Sequence, residues 1–386
     1  MFDFTGLADM KGWMKGAADS TPEAPSAPST PEASSAPSAP SASSAPSAPP
    51  ALGVVISSRV RLSRNLSEYP YPGTLSAQEH RECQERILAV FRRLPNAGDL
   101  TVIGLDELSP LDRRILFERN VISQGYSLEK NRAMLLSGDG SLSAIIGDED
   151  HLRLAAFGAG SCLETLFGRI DAIDTRLSAA LPFAVSPEWG YLNTAITNLG
   201  TGLKASMMLH LPALSMGGLI KRAVKASAQL GLSIRGFYSE SMESMGDMYL
   251  IANEITIGVA ETEIIANLGG IAAQLAGYEN RTREELMDKR RIDMEDRVMR
   301  AWGLLTHCRY LSLREAIESL SSLRLGIALG ILGRVDASVV TPLLFLVQKS
   351  HIQKVLQNRH DTIDTKLIDY TRAKLVREAL PQERGG

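Results

Sequence analysis

The chain has 386 residues, 44 % hydrophobic and 22 % charged, with a formal net charge of −3. That balance fits a soluble globular protein and argues against a general binder of nucleic acid or anionic membrane. Cys83, Cys162 and Cys308 are far apart with no CxxC, which reads as a reducing cytoplasm without structural zinc, and no apolar run reaches the ~18 residues of a membrane span.

Residues 1–20 place Leu7, Met10 and Met14 at helical spacing near Phe4, predicting a short amphipathic helix that docks on the protein's own body. No charged leader precedes an apolar core, so a secretory signal is not expected. The linker, 21–52, holds only Ala, Pro, Ser, Thr and Glu through residue 50, with nine of the eighteen prolines. Such a segment cannot bury enough apolar surface to offset its ordering entropy, and is read as a disordered, extended tether.

The folded part starts near Gly53. In VVISSRVRLSRN, Val54, Ile56, Val60 and Leu62 alternate with Ser57, Arg59 and Arg61, the period of a half-buried strand. The two arginines share the polar face, where they repel unless an anion lies between them. Glu79 to Leu94 is predicted helical, with Cys83, Ile87, Val90 and Phe91 on one face. SLSAIIGDEDH reads as a strand entering an acidic turn, LRLAAF and SIRGFYSES as strands, and MMLHLPAL as a short extended run. Strands without a βαβ rhythm predict a largely antiparallel α+β domain over 53–260. From 261 to 386 the pattern is helical, with i, i+4 charge pairs and a capping box at Ser312 and Glu315.

The chemistry-bearing residues form two sets. Arg59, Arg61, Arg153, Lys204 and Arg235 would match a nucleotide polyphosphate if they converged, because guanidinium forks fit phosphate oxygens. GTGLKAS, 200–206, lacks the spacing of a P-loop and the acidic residue of a dinucleotide fingerprint, so alone it reads as a turn. The second set is acidic: Asp148, Glu149 and Asp150 before His151, and Glu240 after Tyr238 and Ser239. Alone, each acidic turn reads as a solvated loop and His151 as a structural hydrogen bonder.

Together, VVISSRVRLSRN, ERNVIS, DEDHLRL, EWGYLNTAITNLGTGLKASMMLHLPAL, GLSIRGFYSES, EDRVMRAWGLLTHCR and LRLGIALGIL resemble, in order, the phosphagen (guanidino) kinase superfamily. Within it they resemble its bacterial protein-arginine kinase branch. The resemblance implies an antiparallel-sheet guanidino kinase domain flanked by helices, followed by an all-helical C-terminal domain. It implies ATP with Mg²⁺, the ion arriving on the nucleotide rather than in a protein metal cage. Arg59, Arg61, Arg153 and Arg235 become phosphate clamps, with Lys204 at the remaining family arginine, and Ser58 and Asn120 join the ATP site. Glu149 and Glu240 take the positions of the family's substrate carboxylates. A guanidinium, with pKa above ~12, is a poor nucleophile until held and relieved of a proton. Glu149 is the expected base and Glu240 the expected clamp.

The short start of the chain, without the helical domain of the animal and protist enzymes, favours protein arginine over free arginine. A weakened regulatory scaffold is a third reading. By the same resemblance the C-terminal domain supports a homodimer and binds phosphoarginine. Asp369, Arg372 and Ala373 match that motif, while Ile368 replaces its first arginine. A McsA-like activator and a Clp protease are the implied partners, and the location is cytoplasmic. Departures are Ala195 for the family cysteine, Lys204 for arginine and Asn120 for histidine.

Overall fold

The computed structural model describes residues 53–94, 100–237, 244–333, 335–357 and 364–381. The N-terminal helix and the tether expected over 1–52, and Glu240, lie outside the described residues. The elements run β1 (Val55–Arg64), α1 (Ala77–Phe91), β2 (Leu100–Gly104), α2 (Pro110–Glu118), α3 (Gln124–Leu128), β3 (Ala133–Ser137), β4 (Leu142–Ile146), β5 (Leu152–Ala159), α4 (Leu163–Ser178), β6 (Val185–Ser186), β7 (Gly190–Tyr191) and β8 (Leu203–His210). Then come α5 (Pro212–Met216), α6 (Ile220–Gln229), β9 (Leu232–Gly236), β10 (Met248–Asn253), α7 (Glu261–His307), α8 (Leu313–Ala328), α9 (Ala337–Leu346), α10 (Lys349–Leu356) and α11 (Thr365–Ala379). Among the described residues no helix is long and apolar enough to cross a membrane.

Eight strands form one sheet in the order β2-β3-β4-β5-β1-β8-β10-β9, every neighbouring pair antiparallel, with β6 and β7 a separate hairpin. The antiparallel α+β architecture is the one expected. LPAL, read as extended, is instead α5: Pro212 at its first turn has a preset φ and no N–H to waste.

One face of the sheet is covered over most of its width. Val60, Leu62, Leu203, Met207 and Ile251 pack against Ile87 and Phe91 of α1, Ile170 and Leu177 of α4, and Ile264, Leu268 and Leu275 of α7. The other face is covered only at its ends. Ile103, Met134 and Ile145 pack with Leu116 of α2 and Tyr126 of α3. Met208 and Met248 pack with Leu305, Leu320, Phe345 and Val376 of the C-terminal helices. Between these clusters a strip of β5, β1 and β8 is left uncovered, and the charged side chains occupy it.

Ile56 departs from the alternation. The register of β1 against β8 shifts between Val55 and Ser57, and Ile56 joins the second cluster with Met208 rather than the core of Val60 and Leu62. Such a bulge is invisible to a period-2 reading.

The expected division at 260/261 coincides with the start of α7. The sheet's core nevertheless continues to Leu275, and α7 is interrupted at Arg290 (φ −141, ψ 38) before its residues join the C-terminal core at Ala301. The capping box expected at Ser312 and Glu315 is present, as is a second one at Ser76 and Glu79.

Candidate active site

Direct cross-strand partners project from the same face of a sheet. On the uncovered strip the register places Arg61 between Ala155 and Lys204, and Arg59 between Phe157 and Ser206. Arg153 lies opposite Ser63, and Arg235, two strands beyond β8, opposite Leu250. All five cations therefore lie on one face. Ala155, Ser206 and Ala252 are small and leave a floor between the long side chains. A cavity of about 160 Å³ is lined by Arg61, Ser63, Glu149, Arg153, Asn198 and Lys204.

The cations are only partly balanced. Arg153 pairs with Asp148 at 2.7 Å, and Lys204 with Glu254 at 3.2 Å. Burial, then the neighbouring Arg153 and Arg235, lowers Arg59 to about 10. Burial and the charges of Arg59 and Arg153 push Arg61 well below the ordinary guanidinium value. Burial also lowers Lys204, against the pull of Glu254. The Arg61 Nε is buried without a hydrogen-bond acceptor among the described residues. An anion in the cavity would supply the missing acceptor and relieve the crowding of like charge. The residues fit a polyphosphate.

The three consecutive carboxylates have three different fates. Asp148 neutralises Arg153 and accepts from Ser123 Oγ at 3.1 Å. Asp150 is buried and accepts from Asn65 Nδ2 at 2.7 Å and from the Thr194 N–H at 2.8 Å, tying the 193–198 loop to the end of β1. Glu149 alone is exposed at the cavity. Burial, then Asp150 and Asp148, raises its pKa against the opposing Arg153 and Arg61. That favours a carboxylate able to accept a proton nearer neutral pH.

His151 is structural. Its Nδ1 accepts from the Leu66 N–H at 3.0 Å and its Nε2 lies 2.9 Å from the Pro70 carbonyl. Ser58 is turned to the covered face: its hydroxyl donates to Gly160 O at 2.6 Å and accepts from the Cys162 N–H at 3.3 Å. The structure thus separates Ser58 from Arg59 and Arg61. Asn120 is brought in through its backbone, its carbonyl accepting from Arg59 Nη1 at 3.2 Å. Ala195 immediately precedes the short turn Ile196–Asn198, whose Thr197 and Asn198 line the cavity.

Asp369 and Arg372 lie together on α11, but the arginine is buried. Its Nε donates to Val347 O at 2.7 Å, and its Nη1 to Leu311 O at 2.7 Å and to Asp369. Ile368 packs with Ile352 and Leu356. These contacts join three parts of the C-terminal module and leave little of the pair for a ligand.

Several positioning residues escaped the sequence reading. Arg64, next to the polar face, is buried and holds Asp174 of α4 with Nη2 at 2.7 Å and Nε at 3.1 Å. Its Nη1 donates to Thr201 O, and its guanidinium lies 3.5 Å from the centroid of the Tyr191 ring. A Cβ on Gly202, at φ +65, would meet that Nη1 at 2.6 Å, so the glycine lets the loop close on the arginine. The glycine-rich sequence was the available signal, although it resembled a phosphate loop.

Residues 82–282 match the sequence model of the ATP:guanido phosphotransferase C-terminal catalytic domain, and residues 291–385 that of the protein-arginine kinase McsB C-terminal domain. The protein-arginine kinase of Halothermothrix orenii is 36 % identical over 332 residues, covering 86 % of this chain and 94 % of that protein. That of Bacillus subtilis is 34 % identical over 339 residues, covering 87 % and 93 %. Among solved structures, the substrate-free duplicated taurocyamine kinase of Schistosoma mansoni matches 68 % of this chain and 39 % of that one, with TM-score 0.55 at 21 % identity. A lombricine kinase matches 58 % and 66 %, with TM-score 0.52 at 23 % identity. These structures share the fold. With its catalytic sheet and its C-terminal helical module both matched, the chain belongs to the protein-arginine kinase family of ATP:guanido phosphotransferases.

Proposed function

We propose that the protein transfers the γ-phosphoryl group of ATP to arginine side chains in proteins, with Arg59, Arg61, Arg153, Lys204 and Arg235 holding the nucleotide phosphates. The observation that carries this assignment is the half-buried Arg61, crowded by cations and with a buried, unpaired Nε, at a cavity that Glu149 also lines. Glu149 accepts a proton from the acceptor guanidinium as its nitrogen attacks phosphorus. Glu240, which follows β9 in the sequence, holds the acceptor's other edge. The cations offset charge on the transferring group, and rate comes mainly from positioning and electrostatics.

Mg²⁺ supplies charge neutralisation on the phosphates and enters as the nucleotide complex. Asp148 and Asp150 are engaged with protein partners, which suits an ion held by phosphate and water. A homodimer, a zinc-bearing activator, a Clp protease and a cytoplasmic location belong to the same proposal through the family resemblance, whereas the buried Arg372 does not favour phosphoarginine binding at Asp369 and Arg372.

The test is incubation with Mg-ATP and either an unstructured arginine-rich protein or free arginine. Products are mapped by mass spectrometry without acid, since an N-phosphoguanidine is acid-labile. Phosphoarginine on protein and none on free arginine supports the assignment. Labelling of free arginine alone moves the chain to the free-guanidino kinases.

A further inference from the structure

The turn that presents a carbonyl to Arg59 is gripped from behind by the C-terminal module. Helix α2 ends in a Schellman arrangement: the Val121 N–H donates to Leu116 O at 2.9 Å and the Asn120 N–H to Phe117 O at 2.8 Å. Asn120 takes φ 56, a left-handed conformation that asparagine tolerates. This leaves its own carbonyl free to accept from Arg59 Nη1 at 3.2 Å.

The two residues before it face α10. Glu118 accepts from the Ser350 N–H at 3.0 Å and from His351 Nδ1 at 3.0 Å. Arg119 Nε donates to His351 Nε2 at 3.2 Å. A neutral imidazole protonated on Nδ1 satisfies both contacts, donating to the carboxylate and accepting from the guanidinium. Lys354, one turn along α10, closes the same contact on Asp112 at 2.6 Å. Arg119 is lowered to about 10 by burial, so withdrawal of its acceptor would leave a half-buried cation without that partner.

We propose that His351 is a positioning residue for nucleotide binding: by fixing Glu118 and Arg119 it sets the Asn120 carbonyl that holds Arg59 over the phosphate strip. Helix α10 thereby acts on a nucleotide clamp without touching the nucleotide. The inference rests on Arg59 being a phosphate ligand, as proposed above.

The test measures Mg-ADP binding by fluorescence titration on the full chain, a readout independent of phosphotransfer. Replacing His351 with leucine is expected to weaken Mg-ADP about tenfold, the scale of one hydrogen bond to a charged group. It should leave kcat at saturating nucleotide and KM for a polypeptide acceptor within about twofold. His351→Gln, whose amide oxygen can accept from Arg119, should recover most of the affinity. If the leucine variant does not fold, Lys354→Met at the more exposed edge of the contact should weaken Mg-ADP about threefold. Wild-type affinity in either folded variant overturns the proposal. Equal losses in kcat and in affinity for both substrates would show a purely structural contact and overturn it too. A wild type that binds Mg-ADP but phosphorylates no protein arginine would overturn the functional assignment, while the Mg-ADP comparison would still decide the role of His351.

Discussion

Arg61 and Lys204 are direct cross-strand partners on β1 and β8, like charge against like charge. Such a pair opposes folding of the empty protein. Mg-ADP at a hundred times its Kd is expected to stabilise the wild type by about 2.7 kcal/mol, read as a rise in the thermal midpoint. Arg61→Gln should leave the empty protein at least as stable and remove most of that rise. A variant that keeps the full nucleotide shift would place the phosphates elsewhere.

Glu149→Gln keeps the size of the side chain and removes its proton-accepting charge. Turnover should fall by about 10²–10⁴-fold, with Mg-ADP affinity within about twofold of wild type. The base works when deprotonated and its pKa is raised, so the wild-type rate should climb with pH through a value above the ordinary 4.5 of glutamate and level off beyond it. Single-turnover rates across that range check the sign. The same rising limb in the glutamine variant would assign it to another group.

Asp174→Ala leaves the Arg64 guanidinium buried without its carboxylate. The expected cost is about 3–5 kcal/mol, measured by urea unfolding. Because Arg64 also holds Thr201 and stacks on Tyr191, limited proteolysis should open the 185–202 region of the variant first.

Arg372→Ala breaks contacts to Val347, Leu311 and Asp369 at once, and a loss of about 3 kcal/mol is expected. Free phosphoarginine should then produce no rise in the wild-type thermal midpoint through this pair. A rise that disappears in Asp369→Asn would show instead that the pair opens to ligand.

Much of the cationic strip was readable because β1 alternates between a buried and a polar face, as Val60, Leu62, Arg59 and Arg61 show. The capping box at Ser312 and Glu315 was equally readable, since these residues carry their own local chemistry. Strand β3 was harder to read: all five of its residues are buried, so no alternation marks it. The convergence of Arg153 and Arg235 depends on strand order, which no local pattern encodes. Ser58 carried the family signature yet faces the core, because neighbours on a strand point to opposite sides. His351 gave no local signal, since its partners Glu118 and Arg119 come from a distant part of the chain.

The central position of β1 has a consequence for biogenesis. Arg61 is paired with Ala155 on one side and Lys204 on the other, so β1 must wait for segments synthesised much later. Until β8 has left the ribosome, β1 has no partner on that edge and its cations have no finished cleft. Pairings of such long sequence separation are slow to close and leave strand edges open meanwhile. A nascent chain therefore has no assembled cationic cleft, and truncation before residue 203 removes the strand that completes it.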